Sequence, residues 1–411
     1  MQFSSKIALT MTSLISRDTK YIALIVLIHL AACIETDIYL PAFPDMMDFF
    51  ETSEEMVQSI LSWNFLGICF SCPFYGPLSD AFGRRRLLLG ALGLFLLGSI
   101  GAVFATGIHQ MLFYRILQGL GSGGCFTIGA AVIFDVWQGE KAVKVANDLN
   151  CIIPIIMAVA PMIGGYLNQA YGFRSNFIVI ALFVLASFVL CLFSLEETHP
   201  PEKRKEFSLG SILRDFYKAM TCWRFWAPTF MICFIFASYL TYVSSIAILF
   251  MKHMNVDPRI FPFYQATVLL GFVAASLLAN RVIDAWGLQK VKKRGLALVY
   301  LGGTGFVISS LIVADNPNLF QLWMIIFSFG AGWVIGPYFT EGMESLPEIK
   351  GVTSSLMTSF RLAFTAIVIG FTGHYFDGTI YPLVYVIAGA LFLGLLVLLA
   401  NVRSLKTDES S

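Results

Sequence analysis

Apolar runs of about twenty residues with few or no charges recur along the whole chain, and no other feature constrains its fold as strongly. A helix needs about 20 apolar residues to cross a hydrocarbon core roughly 30 Å thick. Because 57% of the residues are apolar and 13% are charged, a soluble core could not bury this much hydrophobic surface. The pattern predicts an all-α membrane protein. Its twelve transmembrane helices are expected near residues 21–40, 57–78, 87–106, 110–133, 148–167, 175–194, 224–250, 261–283, 295–314, 320–340, 351–374 and 381–401.

Basic residues are distributed unevenly between the two sides of these predicted helices. If the N-terminus is cytoplasmic, 21 of the 27 Lys and Arg residues lie in cytoplasmic segments, and only Arg174, Lys252 and Arg259 lie outside. The first outer loop, residues 45–55, carries five acids and no base. Since Lys and Arg are retained on the cytoplasmic side during insertion, both termini are expected to be cytoplasmic. A net charge of +1 gives no indication of a nucleic-acid partner.

Two loops at equivalent places in the chain share a short sequence. Residues 80–83 read Asp-Ala-Phe-Gly before three arginines, and residues 284–287 read Asp-Ala-Trp-Gly before a group of lysines. The offset of 204 residues is about half the chain, which predicts two related six-helix bundles that face each other across a solute path. We expect an N-terminal bundle at 1–195, a cytoplasmic linker at 196–222 and a C-terminal bundle at 223–411.

Residues 76–86 read Gly-Pro-Leu-Ser-Asp-Ala-Phe-Gly-Arg-Arg-Arg, which resembles the signature loop of the major facilitator superfamily. The resemblance implies that fold, and it implies that Asp80 stabilises the outward-open state, with the helix that starts near Gly351 as a candidate partner. The arginines also hold a short loop at the cytoplasmic surface, which is a purely topological role. The gating residues implied by the resemblance are Gly76, Asp80, Gly83, Arg84 and Arg85.

Predicted helix 4 contains Arg115 and Gln118 followed by several glycines, which resembles the buried-arginine motif of the same superfamily. An arginine costs roughly 2.5–3.5 kcal/mol at the centre of a membrane helix, so it must face the bundle interior and have a partner. Residues 35–44 resemble the first-helix signature of bicyclomycin-resistance-type drug:proton antiporters, with Asp37 as the signature acid. Both Arg115 and Asp37 lie within roughly 6–9 Å of the outer face, so they are expected to pair.

The resemblance implies that Asp37, Glu35 and Arg115 carry proton coupling, which requires a carboxylate that exchanges protons near neutral pH. Glu35 and Asp37 lie about 200° apart around a helix, so both cannot face one cavity squarely. Each could instead be an outer-end carboxylate solvated by headgroups and water.

Other residues are candidates for contact with solute. In predicted helix 5, Pro161, Gly164 and Gly165 resemble an antiporter motif, although ordinary helix packing by small residues explains them equally well. His29 stands where some broad-range relatives carry an acid, and it could titrate, bind solute or pack. Arg361, a base inside a predicted helix, needs a counter-charge or an anionic solute. The candidate substrate-binding residues are His29, Asn64, Gln118, Tyr239, Tyr242, Trp333 and Arg361.

These observations favour a proton-coupled secondary transporter that exports drugs or small amphipathic metabolites in exchange for protons. A specific metabolite transporter remains the alternative, for export or uptake of a siderophore or for proton symport of an amino acid or other nutrient. No phosphate-binding loop of the Gly-x-x-x-x-Gly-Lys-Ser/Thr type is present, so neither an enzyme nor an ATP-driven pump is expected. We expect no cofactor and no metal, and a monomer surrounded by lipid in a bacterial inner membrane.

Alkaline phosphatase fusions, which are active only outside the cytoplasm, test this topology. Fusions after residues 171 and 255 are expected to be active, and fusions after residues 142 and 220 are expected to be inactive. The pair at 142 and 171 tests predicted helix 5 in particular, because opposite activities require that helix to span the membrane. Equal activities at these two positions would contradict the twelve-helix arrangement.

Overall fold

The computed structural model describes residues 17–137, 145, 159–204, 208–313 and 316–408, and these residues form fourteen α-helices. The first seven are α1 (Arg17–Asp37), α2 (Phe43–Phe50), α3 (Glu54–Phe82), α4 (Arg84–Phe104), α5 (Ile108–Val136), α6 (159–171) and α7 (Arg174–Ser194). The others are α8 (Leu209–Met220), α9 (Trp223–Ile248), α10 (Phe261–Trp286), α11 (Leu288–Ile312), α12 (Pro317–Glu344), α13 (Lys350–His374) and α14 (Tyr381–Asp408). A 3-10 turn at Leu40–Ala42 joins α1 to α2, and a π-helical turn at Leu249–His253 extends α9.

Eleven helical segments in the described part of the chain are long and apolar enough to cross a membrane. They coincide with predicted helices 1–4 and 6–12. Predicted helix 5, residues 148–167, lies partly outside the described residues, and its described part belongs to α6. The all-helical architecture is therefore confirmed, while the twelfth membrane helix and the cytoplasmic termini stay predictions.

Local sequence signals fix where several helices begin. The Ser53 side chain accepts a hydrogen bond from the Met56 amide at 3.3 Å at the start of α3, and Asn316 accepts one from Leu319 at 3.1 Å at the start of α12. Helices α4 and α11 each begin after a glycine with positive φ, +97° at Gly83 and +81° at Gly287. Glycine adopts this conformation without steric cost, so the related loops make related turns.

Helix packing repeats along the chain. Helices α1, α3, α4, α5 and α7 pack as the pairs α3–α5, α4–α5, α4–α7, α1–α5 and α1–α7. Helices α9 to α14 repeat this arrangement as α10–α12, α11–α12, α11–α14, α9–α12 and α9–α14. We call α1–α7 the first helix set and α9–α14 the second helix set. Helix α13 joins the two sets, because it packs against both α3 and α9.

The repeat extends to single glycine contacts. A Cβ atom at Gly98 would lie 2.6 Å from the Gln118 amide nitrogen, and one at Gly302 would lie 2.5 Å from the Phe327 amide nitrogen. Gly98 and Gly302 are 204 residues apart, the same offset as the two related loops. Small residues at these positions let the helix backbones approach closely. The sequence repeat therefore corresponds to a repeated packing scaffold.

Ion pairs join the two helix sets at one end of the molecule. We call this the outer end, after the orientation expected from sequence; it carries residues 45–55, 254–260 and 375–380, and the opposite end is the inner end. The pairs are Lys252 with Asp48 at 2.8 Å, His253 with Glu54 at 3.0 Å and His374 with Glu55 at 3.1 Å. In this conformation the helix sets are therefore held together at the outer end.

Neutralising the three acids, by Asp48→Asn, Glu54→Gln and Glu55→Gln together, is expected to separate the helix sets at the outer end. Each exposed pair contributes about 0.2–1 kcal/mol, so loss of all three should shift the conformational equilibrium roughly 3- to 150-fold. The measurement is the distance between spin labels at Glu51→Cys and Arg259→Cys, in a chain whose native cysteines are replaced.

The control is Glu348→Gln, which breaks the 2.5 Å pair with Lys218 at the inner end. This control should leave the distances at the outer end unchanged. An unaltered distance distribution in the triple variant would show that the ion pairs do not hold the outer end together.

Candidate functional site

Arg115 lies where α1, α3 and α5 meet, and its side chain is fully buried. Glycines let α3 and α5 approach closely at this point. A Cβ atom at Gly119 would lie 2.1 Å from the Asn64 carbonyl oxygen, and one at Gly67 would lie 2.6 Å from the Ile116 carbonyl oxygen. Because water cannot enter so close an interface, protein atoms must satisfy the five guanidinium N–H groups.

Each nitrogen of the Arg115 guanidinium has a protein partner. Nη1 donates to Gln118 Oε1 at 2.7 Å and lies 3.5 Å from Glu35 Oε2. Nη2 donates to the Tyr39 hydroxyl at 2.9 Å and to the Glu35 carbonyl oxygen at 3.3 Å, and Nε donates to the Ile60 carbonyl oxygen at 3.3 Å. The Tyr39 ring centre lies 4.6 Å from the guanidinium carbon, within the range of a cation–π contact.

Two predicted substrate-binding residues belong to this network. Asn64 Nδ2 donates to Glu35 Oε1 at 3.4 Å and to the Arg115 carbonyl oxygen at 3.3 Å. Gln118 Nε2 donates to the Ser99 hydroxyl at 3.0 Å. Sequence reasoning missed Ser99 and Tyr39. The position of Tyr39, one helical turn after Glu35, could have indicated the second of these.

Asp37 takes a different place from the one expected. The expectation that Asp37 pairs with Arg115 is wrong, because the structure pairs Arg115 with Glu35. Asp37 is buried, accepts a hydrogen bond from the Thr36 hydroxyl at 3.1 Å, and has no basic partner among the described residues. Helix α9 packs against the turn at Leu40–Ala42, which follows Asp37, and on α9 the Tyr239 hydroxyl is buried without a hydrogen-bond partner. Glu35 rather than Asp37 faces Arg115 because two residues along a helix turn the side chain by about 200°.

Arg361 lies on α13, where that helix packs against α3 and α9. Its guanidinium carbon lies 4.4 Å from the centre of the Phe236 ring. Among the described residues it pairs with no acid, and its Nε is buried without a hydrogen-bond partner. The side chain as a whole is partly exposed. Within the described part of the chain, the cation therefore lacks a counter-charge.

Comparison with known proteins agrees with this architecture. Residues 25–369 match the Major Facilitator Superfamily. The chain belongs to this superfamily. It is therefore a multi-pass membrane protein that transports small molecules, and it is not an enzyme.

Among its relatives, a bicyclomycin resistance protein homolog of Haemophilus influenzae is 24% identical over 370 residues, which cover 88% of this chain and 90% of the relative. The multidrug resistance protein MdtL of Vibrio parahaemolyticus is 24% identical over 371 residues, with coverages of 89% and 90%. The chloramphenicol resistance protein CraA of Acinetobacter baumannii is 24% identical over 359 residues, with coverages of 85% and 86%.

Solved structures share the fold. A peptide transporter in complex with alafosfalin superimposes with a TM-score of 0.73 at 13% identity, covering 93% of this chain and 94% of that protein. The xylose transporter XylE of E. coli, in a partially occluded inward-open conformation, gives a TM-score of 0.68 at 13% identity, with coverages of 92% and 96%.

The superfamily signature loop forms its contacts within the first helix set. Arg84 pairs with Asp80 at 2.6 Å and with Asp135 of α5 at 3.0 Å, and its amide donates to Glu197 at 2.9 Å. Arg85 donates to the carbonyl oxygen of Leu195 at 2.7 Å. Sequence reasoning missed Asp135 and Glu197, which lie far from the loop in sequence.

The predicted contact between Asp80 and the start of α13 is not formed in this conformation. Within the described part of the chain, Asp80 makes no hydrogen bond or ion pair to α13, and a Cβ atom at Gly351 would meet no neighbouring atom within 4 Å. Gly76 lies on the same turn of α3 as Asp80, and its added Cβ would approach only Thr127, at 3.9 Å. The gating role of these residues stays a prediction for another conformation.

The small residues of α6 bring that helix against both helix sets. A Cβ atom at Gly164 would lie 1.6 Å from the Ile38 carbonyl oxygen, so any larger side chain would displace the backbone next to Asp37. A Cβ atom at Gly165 would lie 2.4 Å from Pro262 of α10. Pro161, one turn earlier, is also buried. The antiporter-type motif thus lies at the junction of α1, α6 and α10.

Three other predicted substrate-binding residues already have partners in the protein. His29 Nδ1 lies 2.9 Å from the Ile25 carbonyl oxygen, and its ring packs edge-on against Phe126. The Tyr242 hydroxyl donates to Gln321 at 2.9 Å, and Trp333 Nε1 donates to the Ala275 carbonyl oxygen at 3.1 Å. These contacts are those of packing residues, and a role in substrate binding stays a prediction for all three.

Arg115→Met is expected to lower the free energy of unfolding by about 3–5 kcal/mol, because it leaves the Glu35 carboxylate buried without its counter-charge. Adding Glu35→Gln should restore a measurable part of this loss. Asp37→Asn is the control and should restore none. Thermal unfolding in detergent provides the measurement. Rescue by Asp37→Asn in place of Glu35→Gln would show that Arg115 pairs with Asp37.

Proposed function

We propose that this chain is a proton-coupled exporter that exchanges drugs or small amphipathic metabolites for protons by alternating access. The observation that carries the proposal is Asp37, a buried carboxylate without a basic partner among the described residues, next to the segment 38–42 that contacts α6 of its own helix set and α9 of the other. The names of the relatives, which are resistance proteins for bicyclomycin, chloramphenicol and multiple drugs, support export of drugs.

The two acids of α1 have different tasks in this proposal. Glu35 is held by Arg115 and Asn64, so protonating it would leave a buried arginine without its counter-charge. Among the described residues, the hydrogen-bond partner of Asp37 is the neutral Thr36 hydroxyl, so Asp37 can gain and lose a proton without breaking an ion pair there. Asp37 is therefore the proton-exchanging group, and Glu35 with Arg115 fixes its position.

Movement of the two helix sets supplies the coupling. We propose a bundle at 1–195 and a bundle at 223–411, six membrane helices each, joined by a cytoplasmic linker at 196–222. Asp37 belongs to the first bundle, and α9 of the second packs against the turn at Leu40–Ala42 that follows Asp37, so rocking of the bundles changes the surroundings of the carboxylate. Solute and proton then compete for the same site. The protein acts as a monomer in a bacterial inner membrane, with both termini in the cytoplasm.

A transporter specific for one metabolite is the second candidate, either for a siderophore or for an amino acid taken up with protons. The observation in its favour is Arg361, a cation without a counter-charge in the described part of the chain, which suits an anionic or zwitterionic solute better than a cationic drug.

Proteoliposomes with an imposed pH gradient distinguish these functions. Chloramphenicol, bicyclomycin, a siderophore and an amino acid are added in turn to vesicles with the parent protein. The compound that is its cargo should collapse the pH gradient. Asp37→Asn should reduce this response to that of protein-free vesicles, because an amide cannot carry the proton, while Asp37→Glu should retain part of it. The direction of labelled-solute flux separates antiport from symport.

The proton-site assignment fails if Asp37→Asn responds like the parent protein. Glu35→Gln, tested in parallel, would then identify Glu35 as the next candidate. A parent protein that moves solute without any movement of protons would refute proton coupling itself.

A further inference from the structure

Arg361 lies near the middle of α13, a helix long and apolar enough to cross a membrane. It is 11 residues after Lys350 and 13 before His374 on α13, which places it about 17 Å and 20 Å from the two ends of the helix. A guanidinium group at this depth is costly unless an anion or several acceptors surround it. Its partners therefore decide what this position is for.

Arg115 and Arg361, which both lie away from the ends of their helices, differ sharply in how well they are paired. Arg115 donates to four acceptors and faces the Glu35 carboxylate, whereas the Arg361 side chain donates no hydrogen bond among the described residues. Its ring contact is with Phe236, a neutral side chain. Within the described part of the chain, the hydrogen-bonding groups of Arg115 are therefore satisfied and those of Arg361 are not.

Helix α9 contacts the Arg361 site and also packs beside the Asp37 segment. The Arg361 side chain is partly exposed, its guanidinium carbon lies 4.4 Å from the centre of the Phe236 ring, and its Nε is buried without a hydrogen-bond partner. The same helix packs against the turn at Leu40–Ala42, which follows Asp37. Helix α9 of the second helix set is therefore shared by the segment of the unpaired acid and the site of the unpaired base.

We propose that Arg361 binds a carboxylate group of the transported solute. A guanidinium fork matches a carboxylate with two parallel hydrogen bonds, a geometry that neutral acceptors match less well. The cargo class is then an amphipathic carboxylate, and in a zwitterionic cargo the cationic group faces Asp37. This inference rests on the proposed transport function and adds to it the chemistry of the solute.

Equilibrium binding to the purified full chain in detergent tests the proposal with compounds that differ only in the carboxylate. Ciprofloxacin and its methyl ester form one pair, and fusidic acid and its methyl ester form another. The parent protein should bind at least one acid more tightly than its ester. Arg361→Gln should weaken binding of that acid roughly 10- to 100-fold and leave the ester within about twofold. The affinity of Arg361→Lys for the acid should lie between those of the parent and of Arg361→Gln. Arg281 is an exposed arginine of α10, so Arg281→Gln should bind the acid as the parent does.

Three results overturn the proposal. The parent chain binds neither acid more tightly than its ester, the Arg361→Gln variant keeps the preference for the acid, or that variant loses affinity for acid and ester equally. The first comparison needs no variant, so it decides the question even if Arg361→Gln does not fold. These measurements use no pH gradient. Loss of the acid preference therefore leaves proton coupling through Asp37 standing, and failure of Asp37→Asn to uncouple transport leaves the carboxylate site standing.

Discussion

The buried guanidinium of Arg115 is the interaction on which the arrangement around it depends. Its donors require acceptors from three helices, supplied by Glu35 and Tyr39 near the end of α1, by Ile60 on α3 and by Gln118 on α5. These partners fix how the three helices are rotated relative to one another. Glycines such as Gly119 bring α3 and α5 close enough to exclude water, which strengthens every contact of the charge.

The packing scaffold is duplicated, but this charged network is not. The glycine contacts of α4 with α5 recur between α11 and α12, where Phe327 is equivalent to Gln118 at an offset of 209 residues. At the same offset, the position equivalent to Arg115 is Met324, which is apolar and buried. At the offset of 204 residues, the position equivalent to Glu35 is Tyr239. Duplication therefore explains the shape of the protein. Divergence put the Glu35–Arg115 pair and the unpaired acid Asp37 in one helix set and Arg361, which has no acid partner among the described residues, in the other.

The polar contacts at the two ends belong to one conformation. Ion pairs such as Lys252 with Asp48 join the helix sets at the outer end, while Asp80 at the inner end is engaged by Arg84 of its own set. Asp80 becomes available to the second helix set only when its contact with Arg84 breaks. Asp135 shares the Arg84 guanidinium with Asp80, and Glu197 accepts a hydrogen bond from the Arg84 backbone amide, so several contacts hold the signature loop in this arrangement.

The sequence alone predicted the helices and the family, because length, apolar content and short motifs are properties of single segments. It also predicted that the acids at the end of α1 lie level with Arg115, since each helical residue advances by about 1.5 Å. Only the tertiary structure decided that Glu35 and not Asp37 pairs with Arg115, that Asp135 and Glu197 hold Arg84, and that Arg361 has no acid partner among the described residues. The physical reason is that the rotation of a helix about its axis, and the helix it faces, depend on packing between segments far apart in the chain.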